Sequence, residues 1–183
     1  MKNAAIALFL LVLLTSCCKD KGIYRVETIG SLVGSNINQS FREDTTSNFQ
    51  DAAIIIFPEK DKVIEEGKNC SIYGGTTTNV SKLSSIEITS EKEIKSDGFL
   101  YAKGVSLNSL FKVLTYNEEV TIDYFNLSLS AVEFSNNGSV DPTLILKLAN
   151  KPDEVINQKF TIILTFEDGA VFEVESPIFK VAN

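Results

Sequence analysis

The sequence predicts an all-β chain, an antiparallel two-layer β-sandwich that carries one short helix. Three observations point there. Apolar residues recur with period two in many short stretches, separated by turn signals at irregular spacings of about 8–15 residues. Asp168-Gly169 stands between two such stretches, the strongest short-range hairpin signal. Only residues 107–114 follow helical spacing instead. Short strands with little helix bury their apolar faces most simply as two sheets packed face to face.

In chain order, the first segment is not part of that fold. Lys2 precedes an unbroken apolar run over residues 4–14, the layout of a secretory signal. At 1.5 Å per residue the run spans roughly 17 Å, short of the roughly 30 Å hydrocarbon core, so it does not read as a permanent membrane helix. It ends in Leu14-Thr15-Ser16-Cys17, which resembles the lipobox of bacterial lipoproteins. The resemblance implies removal of residues 1–16, attachment of a diacylglycerol to the Cys17 sulfur and acylation of its freed amine. An ordinary cleaved signal wants a small-x-small site, which Leu14-Thr15-Ser16 supplies poorly. One acyl chain holds a protein marginally and two or three hold it stably. Residues 17–22 are then the lipidated cysteine and a tether, and residues 23–183 a single β-rich domain. Cys17-Cys18-Lys19-Asp20-Lys21 is similar to the charged tag of surface-exported lipoproteins, although such tags carry consecutive acids and here only Asp20 is acidic. The expected location is the outer membrane, lipid-anchored, at the cell surface or else on the periplasmic face.

Composition narrows the chemistry. The 167 residues left after processing suffice for one domain with a real core. They carry 16 basic and 24 acidic side chains, a net charge of −8. An acidic domain without a basic cluster is a poor nucleic-acid binder, because phosphate neutralisation dominates that affinity. Its contact with the membrane is expected through the lipid alone. The chain has no histidine, which removes Ser-His-Asp and Cys-His catalysis and imidazole-ligated zinc. It has no tryptophan, so a sugar platform would use tyrosine or phenylalanine.

The elements follow. Residues 23–33 read as a strand with Gly30 as a bulge, and residues 34–51 as a long polar loop, rich in Ser, Asn and Thr. Asp44-Thr45-Thr46 within it resembles a three-residue O-glycosylation motif at Thr45, or is simply a solvated turn. Residues 52–57 form a continuous apolar run rich in β-branched isoleucine, the signature of a strand covered on both faces. Pro58 is expected to end it, and Glu59-Lys60-Asp61-Lys62 to make a charged turn. A short strand at residues 70–73 precedes Gly74-Gly75. Residues 80–89 alternate with Ile86 and Ile88 inward and Glu87 outward, and Ser96-Asp97-Gly98 marks a turn. Leu107, Leu110, Phe111 and Leu114 predict a short helix N-capped by Ser106. Residues 120–134 read as a strand whose phase slips near Tyr124, as at a bulge. Leu144, Leu146 and Leu148 alternate, as do Phe160, Ile162, Leu164 and Phe166 on one side of Asp168-Gly169 and Phe172 and Val174 on the other. A two-residue turn there would need positive φ at both central residues. Pro177 interrupts before a last strand over residues 178–181.

The sandwich is expected to be immunoglobulin-like or related. The alternative is a barrel resembling the lipocalins, with a cavity for a small apolar molecule. Gly30-x-x-x-Gly34 and Gly74-Gly75 lack the lysine and helix of a phosphate loop. Glu65-Glu66, Glu118-Glu119, Asp153-Glu154 and Glu167-Asp168 are neighbours in sequence, read as solvated turns. A glycosidase needs two carboxylates facing each other across about 5–9.5 Å. No calcium-loop spacing occurs. Neither a metal nor any other cofactor is expected, nor a catalytic residue. Cys18 and Cys70 could pair in an oxidising envelope, or Cys70 could simply face the core at a strand end. Tyr101 and Tyr116, near the ends of the expected helix, are the candidate ligand contacts, with the site expected between those ends and the 34–51 loop. The functional expectation is a non-catalytic envelope lipoprotein, a binding or structural module whose partner is an envelope protein or a glycan, or an accessory to glycan uptake.

Overall fold

The computed structural model describes residues 19–37, 40–43, 47–69, 78–79, 82–114, 119–128 and 144–182. Among these, strands dominate and pair antiparallel apart from two two-residue parallel contacts. The first half contains β1 (Lys19–Ile37), β2 (Ser40–Glu43), β3 (Ser47–Asn48), β4 (Ala52–Asn69), β5 (Thr78–Asn79), β6 (Leu83–Ser90), β7 (Ile94–Ser96) and β8 (Phe99–Tyr101). A 3-10 turn, Asn108–Leu110, leads into β9 (Phe111–Leu114) and β10 (Glu119–Thr121), and then α1 (Ile122–Ser128). The second half is β11 (Leu144–Leu148), β12 (Ile156–Gln158), β13 (Phe160–Phe166), β14 (Val171–Glu175) and β15 (Phe179–Ala182).

One layer is a seven-stranded sheet in the order β10-β9-β11-β4-β1-β2, with β5 beside β1. Against it lie the smaller sheets β14-β13-β6 and β12-β15-β3, with the β7-β8 hairpin. Among the described residues β10 and β2 end the large sheet without meeting, so no barrel closes and the lipocalin-like alternative falls. Alternation explains the core: β13 buries Phe160, Ile162, Leu164 and Phe166 and turns Thr161, Ile163 and Thr165 outward. Phe160 meets Phe111 of β9 edge-on at 5.2 Å and Phe179 of β15 at 5.7 Å, so one ring joins three sheets. Ser31 of β1 donates to the Glu175 carbonyl of β14 at 3.1 Å, a second tie between layers.

Several elements differ from expectation. The polar stretch after Val33 is not a long loop: β1 runs to Ile37 and turns into β2 with the register Gly34↔Glu43 to Ile37↔Ser40. Ser35 and Asn36 are buried there, since a ladder between β4 and β2 satisfies the backbone whatever the side chains. Ala52 to Ile56 are all buried, as a doubly covered strand requires, but Pro58 does not end it. The β1–β4 register skips Glu59 between Ile29↔Pro58 and Thr28↔Lys60, and a proline is tolerated beside such a bulge because no ladder donor is missed. Residues 59–62 and Glu65-Glu66 are therefore strand, not turn. Gly30 is not itself the bulge. It pairs regularly with Phe57, and a Cβ there would lie 2.8 Å from the Phe57 ring and 2.5 Å from Glu59 Oε1. Residues 19–22, expected as a tether, belong to β1 and pair with residues 66–69 of β4.

The expected helix and the expected bulged strand exchange places. Residues 111–114 are strand because β9 lies between β10 and β11 and is paired on both sides, with Phe111 and Val113 buried. Leu107, not Ser106, precedes the 3-10 turn, with no side-chain cap bond. The phase slip at residues 120–125 is instead the start of α1, in which Ile122 and Phe125 are buried at i, i+3. Thr121 caps it, its Oγ1 accepting from the Tyr124 amide at 3.3 Å.

Candidate interaction surface

Two features of the second layer decide what the molecule can present: a covered edge and an uncovered hairpin. Strand β6 lies at the edge of its sheet, so Ile86 and Ile88 direct backbone groups away from β13. Asparagine amides fill those positions. Asn126 of α1 accepts from the Ile86 amide at 2.9 Å and donates to the Ile86 carbonyl at 2.9 Å. Asn108 accepts from the Ile88 amide and donates to the same Ile86 carbonyl, both at 3.0 Å. The Leu107 amide completes the set on the Ile88 carbonyl at 2.7 Å. This edge is closed to another strand.

The β7–β8 hairpin is the converse. Asp97 (φ 52°) and Gly98 (φ 74°) are the left-handed pair of a two-residue turn, which Asp and Gly tolerate best. Asn150 Nδ2 donates to Asp97 Oδ2 at 2.6 Å, the Gly98 amide donates to Asp153 Oδ2 at 2.8 Å, and the Asp153 amide donates to the Lys95 carbonyl at 3.1 Å. At its base the Lys92 amide donates to Gln158 Oε1 at 2.8 Å, with Gln158 buried. The hairpin is thus fixed on several sides, yet Phe99 is 68% and Leu100 64% exposed. Successive side chains point to opposite faces, so the strand shows an apolar group on each. Val155 nearby in sequence to β12 is exposed as well. Leaving such side chains in water forgoes about 1.5–3 kcal/mol each relative to burial.

Beside the hairpin, residues 92–95 and 154–158 line a groove of about 130 Å³. Ligand pockets usually hold about 300–1,000 Å³, so the groove suits one inserted side chain better than a free small molecule. Lys92, Lys95, Glu93 and Glu154 give it mixed charge.

Tyr101 sits in β8, half-buried against the core, so its ring is only partly offered to a ligand. Tyr116 lies outside the described residues, as do Cys17, Cys18, Cys70 and Thr45, and the helix that Tyr101 and Tyr116 were to flank does not form. Two of the acidic pairs have a member with a structural partner: Asp153 holds Gly98, and Asp168 accepts from the Ala170 amide at 3.0 Å and pairs with Arg25 of β1 at 3.0 Å. Among the described residues no three carboxylate or thiol groups gather as metal ligands. On the exposed face of β14, Glu175 accepts from Lys159 at 2.5 Å, and this hydrogen bond and charge raise the lysine pKa above its ordinary value. Phe99, Leu100 and the two asparagines escaped the sequence reading. A two-residue turn at Asp97-Gly98 followed by Phe-Leu-Tyr was the available signal for the hairpin.

No family model matches the chain, and no curated protein does. Among solved structures it has a likeness to the C-terminal domain of the Streptococcus pyogenes antigen I/II-family protein AspA, at 12% identity and a TM-score of 0.25. That likeness covers 86% of this chain and 47% of the other, so the chain spans about half that structure's length. A TM-score of this size specifies neither a shared fold nor a shared function.

Proposed function

We propose that this protein is a lipid-anchored, non-catalytic binding module of the bacterial envelope, held at the outer membrane through Cys17 and contacting an envelope protein through the β7–β8 hairpin. The observation that carries the binding half is the fixed hairpin with Phe99 and Leu100 in water. A rigid apolar tip loses little conformational entropy on docking, which favours an apolar recess on a protein over a hydroxyl-rich glycan. The anchoring half rests on Leu14-Thr15-Ser16-Cys17 after the apolar run. Without histidine, the chain lacks the commonest general base for enzymatic work near neutral pH.

Both halves are tested in the native host. Cys17→Ser should shift the protein out of the membrane fraction and abolish incorporation of labelled palmitate; retention with full labelling would sink the anchor. Phe99→Ser with Leu100→Ser should leave the unfolding midpoint unchanged, because both side chains are exposed. It should also remove the protein's in-cell crosslinks to envelope partners. Identical crosslinks in this double variant would reject the hairpin as the contact.

A further inference from the structure

The second layer closes its strand edges unevenly. Asn108 and Asn126 cover β6, and residues 152–153 take the outer side of β7. There Ser96 bridges to Pro152, and the Lys95 carbonyl accepts from the Asp153 amide at 3.1 Å. β8 has no such cover. Among the described residues it pairs with β7 alone, through Ile94↔Tyr101, Lys95↔Leu100 and Ser96↔Phe99. Its Phe99 and Leu100 stand in water. An open apolar edge is a template for another strand, and a lone two-stranded hairpin gains most from a third.

The ladder fixes which backbone groups that edge offers. Ser96↔Phe99 closes the two-residue turn as a hydrogen-bonded pair, so the next pair, Lys95↔Leu100, is the non-hydrogen-bonded kind. The Lys95 carbonyl agrees, since it points away from β8 to Asp153. The amide and carbonyl of Leu100 therefore face outward from the hairpin. We propose that the envelope partner of the hairpin contact inferred above is a second copy of this chain, joined by antiparallel pairing of β8 with β8 about a two-fold axis at Leu100. This rests on that contact and gives it a partner. A two-fold contact needs a self-complementary strand, and β8 is one. Leu100 exchanges both backbone hydrogen bonds with its own copy, and the two leucine side chains meet on one face. On the other face Phe99 lies across from Tyr101 of the second copy, an aromatic cross-strand pair at each end. Charge agrees. Exposed Asp97 precedes the strand and exposed Lys103 follows it, so antiparallel pairing sets Asp97 of each copy near Lys103 of the other. The product is one four-stranded sheet, β7-β8-β8-β7, shared by two molecules.

The test traps the register. Facing Cα atoms of a hydrogen-bonded pair lie about 5.5 Å apart, within the about 4.4–6.8 Å that a disulfide accepts, whereas neighbours offset by two residues lie about 7–8 Å apart. Purified full chain carrying Leu100→Cys is equilibrated with glutathione disulfide, cut after Lys95 and Lys103 and mapped by mass spectrometry. The peptide of residues 96–103 joined to itself is expected, a product that only two chains can supply. Phe99→Cys, offset from its own copy by two residues, should not give it. Equal linkage in both variants, or none in either, would overturn the proposal. Sedimentation of the unaltered chain should show a monomer–dimer equilibrium. Leu100→Lys, which sets like charges opposite each other at an exposed site, should shift that equilibrium to monomer with an unchanged unfolding midpoint. A chain that stays monomeric, or a dimer that survives Leu100→Lys, would overturn the second copy as the partner. In that case, loss of in-cell crosslinks to another protein in the Phe99→Ser, Leu100→Ser variant would still uphold the hairpin contact, so the two readings fail separately.

Discussion

Two asparagines do what the sequence gives no sign of. Asn108 and Asn126 lie 18 positions apart, one at a 3-10 turn and the other on α1, and both donate to the Ile86 carbonyl of β6, while Asn126 also accepts from the Ile86 amide and Asn108 from the Ile88 amide. Truncating either side chain leaves partly buried backbone groups of Ile86 or Ile88 unpaired, a loss of about 1–3 kcal/mol. Asn126→Ala and Asn108→Ala should therefore each lower the urea midpoint without changing the m-value; an unchanged midpoint would show that water replaces the amides without loss. Gly30 is a similar case. Its glycine identity is readable, but its reason is the Phe57 ring lying across it, which only the pairing Gly30↔Phe57 supplies.

At the level of elements, the two Asp-Gly hairpins separate what a dipeptide can and cannot say. Asp97-Gly98 has both residues at positive φ, as the two-residue turn demands. At the second hairpin only Gly169 does (φ 84°), and the Phe166 amide donates to the Ala170 carbonyl at 2.9 Å across three residues. That is a type I turn closed by a left-handed glycine, so the hairpin was legible and its turn was not. Gly98→Ala and Gly169→Ala should each cost about 1 kcal/mol, read from thermal unfolding, because both sites are left-handed and neither has a steric neighbour within 4 Å. Equal stability to the parent would mean the turns relax without strain. The misplaced helix teaches the complementary point. Residues 107–114 and 120–128 each satisfy both periods over a few residues, and the deciding term is tertiary: β9 has a strand on either side, and α1 offers Asn126 to a strand edge.

For the whole molecule, Phe160 is the place where the layers meet, through Phe111 on one side and Phe179 on the other. Phe160→Ala removes a fully buried ring at the junction of three sheets and should destabilise by about 3–5 kcal/mol. Fluorescence of the tyrosines and far-UV circular dichroism should report one coincident transition at lower denaturant. Two separated transitions would show that the sheets unfold independently. Among the described residues the large sheet ends open at β10 and β2, and the groove beside β7 is small, which supports the surface contact proposed for the β7–β8 hairpin.

By itself the sequence determined the all-β class, the inward faces of β6, β11 and β13, and the chemistry that a chain without histidine lacks. These follow from composition and from period-two alternation, which are local properties of a strand half-covered by a core. Only the tertiary structure decided which polar stretches are strand, where the helix lies, how the β6 edge is closed and which apolar residues remain in water. Each depends on a partner distant in the chain: a ladder that satisfies the backbone of Ser35 and Asn36, an asparagine amide laid on Ile86, a turn at Gly98 held by Asp153. Pairing across the sheet, not propensity along the chain, sets those outcomes.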